Sequence, residues 1–223
     1  MNAVLLLHGA LGSKTQLDPL KSELEKKGRR VYSMNFSGHS GQPFSTTFGI
    51  ETFVGDIARF VTENSISKID IFGYSMGGYV ALWFAHLHPE KVGKIVTLGT
   101  KFDWSVASAE KEVKKLNPEK IEEKVPAFAR ILQSRHQPNE WKELLAKTAS
   151  MMTGLGATPL LNEKILSSIE HDVHVLLGDQ DDMADKDFSV AVSKMLPNGK
   201  FDLLPDTPHP IEKVKLAVIA DLF

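Results

Sequence analysis

Six short apolar runs punctuate the chain, and each ends in turn residues: AVLLLHG from Ala3, RRVYSMNFSG from Arg29, KIDIFGYS from Lys68, KIVTLGT from Lys94, DVHVLLGD from Asp172 and KFDLLPD from Lys200. The runs are near-continuous rather than alternating, the pattern of strands buried on both faces. Between them apolar residues recur at helical spacing: Leu17, Leu20 and Leu24; Phe53, Ile57, Phe60 and Val61; Val214, Val218 and Leu222. Val80, Leu82, Phe84, Ala85 and Leu87 form a stretch that is apolar all round, which predicts a buried helix. Strands that alternate with helices need crossover connections, and these give a mainly parallel sheet with helices on both faces. The expected fold class is therefore α/β, a single domain over residues 1–223 with about six strands.

The alternation fails between about residues 102 and 168, where no strand pattern occurs. ASAEKEVKKLNPEKIEEKV, AFARILQSRHQ and NEWKELLAKTASMMTG read as amphipathic segments, the first interrupted at Pro118 and carrying a charge run that reads as a solvated helix face. A structureless loop of that length is improbable in a compact domain, so an all-helical insertion is expected there. AVLLL at the start is too short for a bilayer span and lacks the form of a leader, so neither membrane insertion nor secretion is expected.

The formal net charge is −2, leaving no basic field to attract nucleic acid or anionic lipid. The absence of cysteine excludes disulfides, thiolate metal sites and thiol nucleophiles, and fits a cytoplasmic setting. His86 and His88 lie two apart and do not share a helix face, so no metal is expected.

The chemistry concentrates at IFGYSMGGY. KIDIFGYS ends a strand and MGGYVALWFAHLH begins a helix, so Gly73-Tyr74-Ser75-Met76-Gly77 is a G-x-S-x-G turn at a strand-to-helix junction. Residues two away from the serine on each side must lack bulk if its hydroxyl is to stand above the sheet at the helix N-terminus. A plain glycine turn would need no partners elsewhere. A nucleophile needs a base oriented by an acid, and both follow at later strand ends. GDQDDMAD supplies Asp181, Asp182 and Asp179, and PDTPHPIEKV supplies His209. A developing oxyanion needs positioned N–H donors, and HGALGS after the first run offers Ala10 beside Met76, with His8 holding the loop.

Together, LLLHGALGS, GYSMGGYVAL, HPEKVGKIVTLGT, GDQDDMA and PHPIEKV resemble the α/β-hydrolase family, in the family's order and across nearly the whole chain. The resemblance implies a serine hydrolase of carboxylesterase or thioesterase type, with Ser75, Asp181 and His209 as its triad and Asp182 as the alternative acid. It also implies an oxyanion hole at Ala10 and Met76, no cofactor, and a small acyl substrate for a monomer or homodimer. The helical insertion would be a cap over the site, with Trp104, Phe128, Trp141, Met151 and Met152 as candidates to line an acyl pocket and Phe44 and Tyr74 at its border. Family members carry two strands before the HG loop that this sequence lacks, and Pro208 stands where a glycine usually precedes the histidine. GYSMGG is also similar to a menaquinone-pathway synthase of the family, which has an arginine where this chain has Tyr79. Carbon–carbon bond hydrolysis, lyase chemistry and a non-catalytic receptor are the alternative functions, because fold does not fix substrate.

Overall fold

Side chains of a strand point alternately to opposite faces, so a strand covered on both sides is apolar at every position. β1 (Ala3–Leu7) follows this rule. Val4 and Leu6 pack on one face with Phe72 and Val96, Leu5 and Leu7 pack on the other with Ile71 and Ile95, and all eight are fully buried. Each such side chain contributes about 1.5–3 kcal/mol of burial.

The computed structural model describes residues 2–223. After β1 come α1 (Asp18–Lys26), β2 (Val31–Met34), α2 (Ile50–Glu63), β3 (Ile69–Tyr74), α3 (Met76–Leu87) and β4 (Val92–Leu98). Five helices follow: α4 (Val106–Val113), α5 (Pro118–Lys124), α6 (Pro126–His136), α7 (Trp141–Ala157) and α8 (Glu163–Leu166). The chain then returns to β5 (Val173–Gln180), α9 (Lys186–Met195), β6 (Gly199–Pro208) and α10 (Leu216–Ala220). The sheet has six strands in the order β2-β1-β3-β4-β5-β6, every pair parallel. The apolar runs read from the sequence are its strands.

α1 and α10 cover one face through Leu20, Leu24, Ile219 and Ala220. α2, α3 and α9 cover the other through Phe53, Ile57, Val80, Leu82 and Val192. The strand order reverses at β1: the chain moves outward to β2 and then back past β1 to β3. A crevice opens beyond the strand ends at such a switch point. The loops after β1, β2 and β3 therefore meet at one end of the sheet.

Between β4 and β5 the segment is wholly helical. Pro118 opens α5 rather than breaking it, because Asn117 caps that helix by accepting the Lys120 N–H at 2.7 Å. The helices carry their own small core of Ile121, Leu132, Trp141, Leu144 and Leu145, which closes over Leu11. Two readings need correction. The charge run on α4 is not wholly solvated: Glu112 is buried and pairs with Lys115 at 2.8 Å. The terminal pattern of Val214, Val218 and Leu222 is not one helix face, since a 3-10 turn at Ile211–Lys213 delays α10. The buried residues become Ile219 and Ala220, and Val218 is exposed.

At the sheet's opposite end Arg29 donates to Asp70 at 2.7 Å and to the Asn2 carbonyl at 2.8 Å, and also meets the Phe223 main chain. Asp70 further accepts from Asn2 Nδ2 and the Lys94 N–H. Removing the Asp70 charge breaks a buried ion pair, so Asp70→Asn is expected to lower the unfolding free energy by about 3 kcal/mol. Urea denaturation checks this; the double variant Arg29→Met/Asp70→Leu is expected to lose less than the single one.

Candidate active site

Ser75 links β3 to α3 with φ 51° and ψ −118°, a conformation that L-residues rarely adopt. Its backbone is tied on both sides: its N–H donates to the Leu98 carbonyl at 2.8 Å, and its carbonyl accepts from Gly78 N–H and Thr100 Oγ1, each at 3.0 Å. The surrounding glycines are dictated by proximity. A Cβ on Gly73 would fall 2.5 Å from the Gly77 carbonyl oxygen, and one on Gly77 would fall 2.4 Å from that of Leu7. One on Gly78 would fall 2.0 Å from Thr100 Oγ1. The turn thus packs backbone against backbone, pressing the end of β1 onto the start of α3.

His209 follows β6, and its Nδ1 lies 2.7 Å from Asp181 Oδ2 beyond β5. Asp181 Oδ1 accepts the Met183 and Ala184 N–H groups, both at 2.9 Å. Burial would raise the Asp181 carboxyl, but the His209 hydrogen bond and charge, with these two amides, hold it below the usual carboxylate range. Against an ionised Asp181, Nδ1 must carry the proton, which leaves Nε2 to accept another. Gly99 makes room for the pair: its φ is 60°, and a Cβ there would lie 2.9 Å from Asp181 Oδ2. Tyr74 Oη donates to the His209 carbonyl at 3.1 Å, and its ring lies 5.4 Å from the imidazole. The alternative acids go elsewhere. Asp182 is exposed at the rim, Asp179 accepts the Thr207 N–H at 3.1 Å, and Asp185 caps α9.

The loop after β1 is shaped from within. His8 accepts the Phe36 N–H at Nε2 (3.2 Å), so Nδ1 carries its proton and donates to the Gly9 carbonyl at 2.8 Å. That carbonyl also accepts the Gly12 N–H at 3.1 Å. Burial pushes His8 down to about 4, the same cause brings His136 to about 4, and it holds His39 well below the ordinary imidazole value. The three rings are fully buried and adjacent: His39 lies 5.0 Å from His8 and 5.8 Å from His136.

Ser75, His209, Ala10 and Met76 open onto one cavity of about 530 Å³, roofed by the helices between β4 and β5. The Ser75 hydroxyl is not hydrogen-bonded to His209. Tyr74, Trp104, Phe128, Met151 and Met152 line the cavity. Phe44 does not: it packs on Phe48 under the Lys147 ammonium and fills the space beside Gly38, which turns the ring away from the site. Trp141 does not either, because it anchors the core of the insertion. The structure adds further residues to the cavity wall. Tyr79 accepts the Leu160 and Leu161 N–H groups at 3.1 Å. Lys101 reaches Asp103 at 2.8 Å and Glu112 at 4.0 Å, and Arg135 and Glu212 complete the polar wall. Among the described residues, no group of three or more His, Cys, Asp or Glu is arranged to hold a metal ion, and no helix is long and apolar enough to cross a membrane.

The family model of the alpha/beta hydrolase fold matches residues 2–136. The sn-1-specific diacylglycerol lipase ABHD11 of Danio rerio is 30% identical over 96 residues, which is 43% of this chain and 30% of that protein. The match thus takes in under a third of the lipase. A Bacillus subtilis (strain 168) protein provisionally named 2-succinyl-6-hydroxy-2,4-cyclohexadiene-1-carboxylate synthase is 26% identical, covering 94% of this chain and 84% of its own. Among solved structures, a thermophilic esterase from Thermogutta terrifontis superposes with a TM-score of 0.78 at 18% identity, over 100% of this chain and 88% of its own, a likeness of fold.

The buried histidines make acid stability a readout of the site's packing. In the unfolded chain each imidazole titrates near ~6.5, and folding depresses His8 and His136 to about 4. Between those values the unfolded state binds more protons, so stability is full above the unfolded pKa and falls as pH drops toward the folded one. Urea midpoints are expected to decline steadily from pH 7 to pH 4.5. His136→Gln is expected to flatten that slope by about one proton.

Proposed function

The chain belongs to the alpha/beta hydrolase fold family, and on that premise we propose that it is a serine hydrolase that cleaves a small carboxylic ester or thioester through an acyl-enzyme. Ser75 Oγ attacks the acyl carbonyl while His209 Nε2 takes its proton. Asp181 keeps the imidazole in the required tautomer and stabilises the imidazolium. The N–H groups of Ala10 and Met76 receive the oxyanion, each worth about 3 kcal/mol in the transition state. His209 then returns its proton to the departing alcohol or thiol. Water, activated by the same base, releases the acid and frees Ser75. Trp104, Phe128, Met151 and Met152 hold the acyl group against an apolar wall. The observation that carries this reading is the 2.7 Å His209–Asp181 hydrogen bond, set at a cavity that Ser75 shares.

A lyase or carbon–carbon bond hydrolase is the second reading, favoured by the Bacillus relative that covers 94% of this chain. The cavity's charge argues for the ester. Lys101 and Lys115 are occupied by Asp103 and Glu112, Arg135 donates to the Leu11 carbonyl, and Tyr79 is turned to the Leu160 and Leu161 amides, so no free pair of cations awaits a polyanion.

Ser75→Ala is expected to abolish p-nitrophenyl acetate hydrolysis and fluorophosphonate labelling without moving the thermal midpoint; retained turnover would remove Ser75 from the mechanism. A parallel panel of esters, thioesters and β-diketones decides between the two readings, and cleavage of the diketones alone would favour the second. Asp181→Asn is expected to lower kcat on the order of 10³- to 10⁴-fold, because the imidazole loses the partner that fixes its tautomer. Asp182→Asn is expected to cost far less, and the reverse ranking would overturn the choice of acid.

A further inference from the structure

Two loops contain non-glycine residues in the left-handed region: Leu11 with φ 57° after β1, which lines the cavity, and Ser40 with φ 48° after β2. Such residues persist only where their surroundings hold them there. One side chain grips both. His136, fully buried at the end of α6, accepts the Ser40 N–H on Nδ1 at 3.0 Å. Its proton is therefore on Nε2, which donates to the Leu11 carbonyl at 3.0 Å. Arg135 Nη1 donates to that carbonyl as well, at 2.8 Å. Three residues on, Asn139 Nδ2 donates to the carbonyls of Gln42 at 2.6 Å and Gly38 at 3.1 Å. The segment 135–139 thus latches the helical insertion onto both loops.

The Leu11 carbonyl lies one residue past Ala10. On the other side of Ala10, the Gly9 carbonyl is held by His8 Nδ1 and the Gly12 N–H. Ala10 is bracketed by two fixed carbonyls, one secured from inside the loop and one from the insertion. We propose that Arg135 and His136 are positioning residues: through the Leu11 carbonyl they hold the loop so that the Ala10 N–H faces the developing oxyanion. This rests on the ester-hydrolase reading. Its consequence is that the insertion supplies part of the catalytic geometry as well as a roof, and that at this end it is anchored rather than free to lift.

A latch that only ties two parts of the fold together would alter thermal stability and leave the catalytic constants alone. A substrate contact by Arg135, which lines the cavity, would raise KM. Oxyanion positioning lowers kcat instead. In p-nitrophenyl acetate hydrolysis by the full chain, Arg135→Ala is expected to cut kcat roughly 10- to 100-fold with KM within about twofold. Arg135→Lys, which keeps a donor toward Leu11, is expected to recover most of the loss. His136→Ala should repeat the kcat loss and His136→Gln, with an amide donor in place of Nε2–H, should restore it in part. Should the alanine at the buried His136 unfold the chain, the half-buried Arg135 pair decides alone. An unchanged kcat, a loss expressed in KM, or a kcat loss that lysine does not restore overturns the proposal. Ser75→Ala run alongside separates the two failures: if it keeps its activity the hydrolase reading fails, and if it is dead while Arg135→Ala is normal, only the latch fails.

Discussion

The site depends on a backbone approach that no side chain would survive. The end of β1 lies against the first turn of α3 so closely that a Cβ on Gly77 would sit 2.4 Å from the Leu7 carbonyl oxygen. That contact brings the β1 loop and the helix N-terminus together, and with them the Ala10 and Met76 amides. The same compression leaves Ser75 at φ 51°, a strain kept in place by hydrogen bonds from Gly78, Thr100 and to Leu98. Backbone strain of this order costs about 1–3 kcal/mol, and it survives because the sheet on either side is fully packed.

The parallel sheet does the gathering. Because every pair runs the same way, the ends of β1, β3, β4, β5 and β6 emerge on one side, and residues far apart in sequence arrive as neighbours. Asp181 and His209 are 28 residues apart and meet at 2.7 Å. Gly99, after β4, is the floor beneath them, and only a residue without a side chain fits. The end away from the site is closed by the buried ion pair of Arg29 and Asp70.

Much of this was legible in the sequence because its causes are local. Continuous apolar runs predict strands covered on both faces, and glycines on each side of a serine at a strand end predict a tight turn. The preference for Asp181 over Asp182 comes from a resemblance, and its meeting with His209 is visible only in the fold. What escaped detection lacks a local cause. Gly78 answers to Thr100, Glu112 is buried where Lys101 approaches it from the loop after β4, and Trp141 and Phe44 serve the packing of the insertion rather than the cavity. An amphipathic pattern states that a face is buried without stating against what. The Arg135-His136 pair reads as an ordinary helix end, and its partner Leu11 is 125 residues distant from His136.

The three buried imidazoles show how such distant contacts are made specific. A hydrophobic residue at His136 could fill the same space, but it could not accept from Ser40 and donate to Leu11 at once. A neutral imidazole does both, and its two nitrogens fix the separation of the two loops. The cost is desolvation, which is why His8 and His136 fall to about 4 and stay uncharged at neutral pH. Neutrality also lets three rings stand within 6 Å of their neighbours without repulsion. The arrangement therefore ties loop geometry to a protonation state: protonated His136 could no longer accept from Ser40, and a second charge on His8 would oppose the first. The insertion's grip on the β1 loop is set by hydrogen-bond direction, which packing alone does not specify.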